Sequence, residues 1–123
     1  MNSVEDTYKV VRQIAIEEFS DIVIFTERVY GKLRIHLIDG SFLDVWFSRK
    51  IPGRYAYHWE RRAIDGSIYR HDNRPHEYLR SMESFPKHFH DGNEGNVKES
   101  TINENPEKAI REFLNFVRLK LGK

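Results

Sequence analysis

The segment Lys32 to Arg49 constrains the fold most. Two alternating runs flank Asp39-Gly40-Ser41, and the glycine supplies the positive φ that a tight hairpin needs. Because side chains alternate along a strand, the length of the loop decides which of them meet. A two-residue loop sets Leu33, Ile35 and Leu37 on the face of Phe42, Asp44 and Trp46, with a carboxylate inside an apolar row. A three-residue loop, with Gly40 in a bulge, aligns them with Leu43, Val45 and Phe47, all apolar, so this register is predicted. Its other face carries Arg34, His36, Asp44 and Trp46, and His36 opposite Asp44 reads as a cross-strand polar pair.

A second strand pair follows. Tyr55, Tyr57 and Trp59 alternate with Ala56, His58 and Glu60 behind the Pro52-Gly53 turn, as the core side of a half-buried strand should. The tetrapeptide Ile38 to Ser41 returns as Ile64 to Ser67, which predicts that the two hairpins turn alike. With a three-residue loop, Tyr57, Trp59, Ala63 and Tyr69 share one face, and His58, Glu60, Arg62, Arg70 and Asp72 share the other. With a two-residue loop, His71 and Asn73 replace Arg70 and Asp72 beside His58 and Glu60.

Helices bracket these strands. Val4, Tyr8, Val11, Ile14, Ala15 and Phe19 recur at helical steps behind Ser3, a side chain that caps free amides. Near the other end Asn105 caps, Pro106 fits the first helical position, and Ile110, Phe113, Leu114, Val117 and Leu121 form an apolar stripe that Gly122 stops. Ile22 to Val29 reads as a strand. From Asn73 to Asn96 periodicity stops, and Pro75, Pro86, Gly92 and Gly95 punctuate a long loop that also holds His76, His88 and His90. The expected fold is α+β in a single domain over residues 1–123: an N-terminal helix, a five-strand antiparallel meander, a long histidine-rich loop and a C-terminal helix.

Composition narrows the chemistry. Cysteine is absent from the 123 residues, which removes disulfides, thiolate nucleophiles and sulfur-based zinc sites and fits a cytoplasmic location. The net charge is only +1, so any affinity for nucleic acid must come from a local cluster. Residues 1–19 carry four acids and no continuous apolar run, so neither a signal peptide nor a membrane span is expected there. Five of the six histidines fall between His58 and His90, far above average usage.

Those histidines sit beside Arg70, Arg62, Lys87 and Asp72, a set that suits RNA cleavage without a metal or other cofactor. Such a reaction needs a base for the ribose 2′-hydroxyl, an acid for the leaving oxygen, and cations on the phosphorane. His58 with His88 or His90 would move the protons, Arg70 with Arg62 or Lys87 would hold charge, and Asp72 would orient a histidine. Tyr57, Tyr69, Phe85 and Phe89 would stack the bases of a single strand. A metal site is the alternative, because His88-Phe89-His90 projects two imidazoles to one side and Asp91, Asp72 or His76 would complete the ligands. A solvated, partner-binding surface is the third reading.

The run Leu33 to Val45, then Tyr55-Ala-Tyr-His-Trp59, Tyr69-Arg-His-Asp-Asn73, Pro75-His76 and Phe85-Pro-Lys-His-Phe-His90, resembles the TumE family of prokaryotic toxin proteins over about residues 4 to 120. The resemblance implies the toxin half of a type II toxin-antitoxin pair, with a cognate antitoxin carrying a helix-turn-helix domain as partner. An RNA substrate and a homodimer are further expectations. It also draws attention to His58, Arg70, Asp72, Asn73, His76, His88 and His90, the positions that the hairpin register and the loop composition had gathered. A non-catalytic module within such a pair is the remaining alternative.

Overall fold

A computed structural model describes residues 3–123. Helix α1 (Val4–Glu18) opens on a reciprocal cap, the Ser3 hydroxyl accepting the Asp6 N–H and the Asp6 carboxylate accepting that of Ser3. Seven strands follow: β1 (Val23–Val29), β2 (Lys32–Leu37), β3 (Phe42–Phe47), β4 (Tyr55–Arg61), β5 (Ser67–Asp72), β6 (His88–Gly92) and β7 (Val97–Glu99), with a single helical turn, α2 (Arg62–Asp65), between β4 and β5. They form one sheet in chain order, every neighbour antiparallel. Helix α3 (Pro106–Lys120) closes the domain, its first amides accepted by Asn105. No helix among the described residues is long and apolar enough to cross a membrane.

The first hairpin has the apolar register. Leu37 bonds Ser41 across a loop of three residues, 38–40, and Leu33 and Ile35 lie opposite Val45 and Leu43. Arg34, not His36, faces Asp44 there, and holds it through Nε at 2.8 Å and Nη2 at 3.0 Å. His36 instead meets Glu27 on β1, 2.6 Å away.

The second hairpin is a correction: five residues, 62–66, make the connection, because Arg62 to Asp65 wind into α2 before Gly66 takes a φ of +79°. Both tetrapeptides nevertheless make the same local turn, with Asp39 accepting the Ser41 amide and Asp65 that of Ser67. Five and three share parity, so His58, Glu60, Arg70 and Asp72 keep a common face; Arg62 leaves the sheet.

The second correction is the strand count, seven rather than five. The supposed loop, 73–96, supplies β6 after a short 3-10 turn over Glu77–Leu79, and β7 follows directly behind it. Both long helices pack on one sheet face, where Trp59, Tyr57 and Leu43 bury against Tyr8, Val11, Phe113 and Leu114. Two ion pairs tie the helices and the start of β1, Arg111 to Glu18 and Arg118 to Asp21.

His71 belongs to this helix side. Its ring stacks 4.2 Å from that of Phe89, meets Phe113 edge-on at 5.5 Å and places Nδ1 2.8 Å from the Ser100 hydroxyl. Burial pushes its pKa from 6.5 down to about 4. Between those values the unfolded chain binds a proton that the native ring refuses, so stability is complete above pH 6.5 and is lost as pH falls toward 4. A His71→Phe variant should show a change in unfolding free energy between pH 7 and pH 4 that is smaller by about 2–3 kcal/mol. Urea titrations at the two pH values measure it, and parallel pH profiles for variant and parent would contradict it.

Candidate active site on the open sheet face

The opposite face of the sheet carries the chemistry. Because the strands are in chain order and in register, side chains line up in rows that cross the whole sheet. One row reads Glu27, Arg34, Asp44, His58, Arg70, His90, Val97 from β1 to β7. The adjacent row reads Trp46, Ala56, Asp72, His88, Glu99 from β3 to β7. Ala56 is the small member, and a groove of about 710 Å³ opens over it, lined among others by Lys32, Arg34, Trp46, Arg54, His58, Asp72, Arg74 and His76.

Each polar group in the rows is held. Arg70 lies at the centre, its guanidinium accepted by both Glu94 carboxylate oxygens at 2.7 and 2.8 Å and by Asp72 at 3.2 Å, while Nη1 also donates to His58 Nδ1 at 3.2 Å. The other His58 nitrogen, Nε2, lies 3.0 Å from Glu60. With Arg70 donating to Nδ1, the His58 hydrogen sits on Nε2 and both nitrogens are engaged. Burial lowers its pKa. Glu94 is held well down, at about 2, chiefly by Arg70.

At the β5–β6 end three groups converge. Asp72, His88 and His90 each offer one ligand atom within 4.8 Å of the others, and all three are buried. His88 and His90 are two residues apart on one strand, so they project to the same side, directly across from Asp72 and Arg70. His88 Nδ1 donates to the Pro86 carbonyl at 3.0 Å and His90 Nδ1 to that of Glu94 at 2.8 Å. A carbonyl only accepts, so in each neutral ring Nε2 carries the lone pair.

His88 Nε2 approaches Asp72 Oδ1 to 3.2 Å, but off the direction of a hydrogen bond; the contact is an ion pair only when the ring is protonated, and this fully buried atom has no hydrogen-bond partner. Burial opposes charge on His88, yet Asp72 and the Pro86 carbonyl outweigh it and raise its pKa. For His90 burial prevails and the pKa falls. Burial would raise Asp72, but His88, the Arg74 amide and Arg70 hold it at about 2.

The structure therefore gathers His58, Arg70, Asp72, His88 and His90 on one face, with His76 beside them, 5.5 Å from His88 between ring centroids. Other predicted site residues lie elsewhere. Tyr57 and Tyr69 point to the helices, Tyr57 against Tyr55 and Phe113 and Tyr69 against Trp59 and Phe116, so neither reaches the groove. Phe89 packs there too, over His71. Lys87 precedes His88 and falls on the helix side, where its charge bears on His71. Asn73 is a structural latch, accepting the Tyr55 amide and donating to the Gly53 carbonyl. Arg62, on α2, pairs with Glu60 and Glu94 at the margin.

Three participants carried no warning in the sequence. Glu94 reaches Arg70 from 24 positions away, through the turn between β6 and β7. Arg54 and Arg74 line the groove without a side-chain partner among the described residues, though each reads in isolation as a loop cation.

No curated protein and no solved structure matches this chain. The family model described as Toxin TumE matches residues 6–121, a span that takes in α1 from Asp6 onward, all seven strands, every residue of the buried triad and α3; the chain belongs to the TumE toxin family.

Proposed function

We propose that this protein is the toxin of a toxin-antitoxin pair and that it arrests growth by cutting RNA in the groove on its open sheet face. Membership of a toxin family implies an antitoxin partner. The observation that carries the cleavage reading is the convergence of the buried His88 and His90 on Asp72, which lines a groove that also holds cations without a side-chain partner among the described residues. Arg54, Arg74 and Lys32 suit the phosphates of an extended strand, and Trp46, on the Ala56 row, offers a stacking platform for a base. Arg70, fixed by Glu94 and Asp72, adds positive charge beside the triad.

A metal-free route needs two accessible imidazoles. His58 is engaged at both nitrogens and His88 is fully buried, which leaves His76, on the groove wall, and the nearly buried His90 as the imidazoles for proton transfer. His58 fits a positioning role, steadying Arg70. The antitoxin, which we take to be a helix-turn-helix protein, would silence the toxin by laying an acidic segment along the groove cations.

Incubation of the purified protein with mixed-sequence single-stranded RNA tests this reading. The parent should cut, and an Arg54→Glu, Arg74→Glu double variant should lose at least about tenfold in affinity, with a salt dependence shallower by about two phosphate contacts. A parent that arrests growth yet leaves all cellular RNA intact would overturn it.

A further inference from the structure

We propose that Asp72, His88 and His90 form a binding site for one divalent transition-metal ion, zinc being the best match, at the inner end of the groove. Two independent observations point there. The first is the placement of the donors. The two Nε2 atoms lie 3.2 Å and 4.0 Å from the two Asp72 oxygens. A tetrahedral ion bound at about 2.1 Å wants its ligand atoms about 3.4 Å apart, so small side-chain adjustments complete the set.

The second is the unpartnered Nε2 of His88. The side chain is wholly buried, and the atom has the Asp72 carboxylate 3.2 Å away but no hydrogen bond. A buried polar atom left so costs about 1–3 kcal/mol, and a native structure keeps such an atom when another role requires it. A metal ion on Nε2 satisfies it.

The surroundings agree with this assignment. Both imidazoles donate Nδ1–H to backbone carbonyls, of Pro86 and Glu94, which fixes the tautomer with the lone pair on Nε2 and holds each ring in place; metal-binding histidines are secured in the same way. The three residues stand on paired strands, so the site is rigid in its backbone. Two nitrogens and a carboxylate suit zinc or manganese rather than a hard, all-oxygen ion. Three protein ligands leave a coordination position open. Asp72 and His76 both line the groove, so the site borders the cavity on the Asp72 side. There the ion would take a phosphate oxygen or a water, acting as the Lewis acid that a metal-free site lacks. That catalytic role rests on the RNA-cleavage reading; the binding does not.

The test separates the two. The full-length protein is stripped with chelator and titrated with Zn2+ and, separately, Mn2+ by calorimetry, with bound metal counted by mass spectrometry; Co2+ serves as a visible-absorption probe of nitrogen ligation. One ion per chain is expected for the parent and for His36→Gln, which is remote on the same sheet face, and at least a tenfold weaker affinity for His90→Gln and Asp72→Asn. Circular dichroism and thermal melts of the stripped variants establish that they fold. Failure of the parent to bind any of these ions, or equal affinity in folded His90→Gln, overturns the site. RNA cleavage by the stripped protein, undiminished by chelator, overturns the metal's role and leaves the ribonuclease reading standing. Stoichiometric binding by a protein that cuts no RNA supports the site and overturns that reading.

Discussion

On the proposed ribonuclease reading, replacing His90 with alanine lowers the rate of RNA cleavage by about 10³-fold and abolishes growth arrest, while the protein remains folded. His90 carries the lone pair that looks across the triad, its other nitrogen being committed to the Glu94 carbonyl. Loss of the ring leaves Asp72 and His88 unable to complete either a metal site or a proton relay. The fold survives because the change removes one bond to a loop carbonyl at the edge of the sheet, whereas the core lies on its other face. Single-turnover cleavage of a labelled RNA and a thermal melt, made side by side, check both halves. A variant that melts with the parent and still cuts within threefold of its rate would remove His90 from the chemistry.

The largest loss of stability belongs to Trp59→Ala. Trp59 is wholly buried at the centre of β4, its ring centroid 5.4 Å from that of Tyr69 and 6.2 Å from that of Phe116, with Arg61 lying over it at 4.7 Å. Its indole N–H donates to the Ser41 hydroxyl at 2.9 Å, which joins the middle of the core to the first hairpin turn. Truncation leaves a cavity too large for its lining to collapse, at a cost of about 3–5 kcal/mol. A domain of ordinary stability has only about 5–15 kcal/mol to lose. Urea unfolding should show a midpoint far below the parent's, and Trp59→Phe should fall between the two. A loss under about 1 kcal/mol for the alanine variant would mean that the Trp59 site repacks.

Much of this architecture is legible in the residues. The apolar stripes of α1 and α3 and their capping residues locate both long helices, and the conflict of Asp44 with an apolar row fixes the parity of the first hairpin. Parity also explains why the polar face of β4 and β5 is correct although their connection is two residues longer than expected. A helical turn in place of a tight loop moves the pairing along without turning the side chains over. The same alternation placed Tyr57 and Tyr69 with Trp59, on the core side, and that placement prevails over their suitability for stacking bases.

Strands β6 and β7 were hidden for a physical reason. His88 and His90 alternate with Phe89, but the run is five residues long, its buried members are polar, and its partner Val97–Glu99 is three residues with one apolar side chain. Such strands exist because β5 offers an edge to pair with, a property of the sheet rather than of the segment. Glu94, likewise, could be connected to Arg70 only after that pairing had brought the turn over the site.

The sequential order of the strands has a consequence for the cell that makes this protein. As the chain leaves the ribosome, sheet growth follows synthesis, and β1 to β4 can assemble while the residues that complete the triad have yet to be added. The seal over the helix side comes later still, with α3. On the proposed reading, a nascent chain therefore lacks its triad until β6 has been made and has paired with β5.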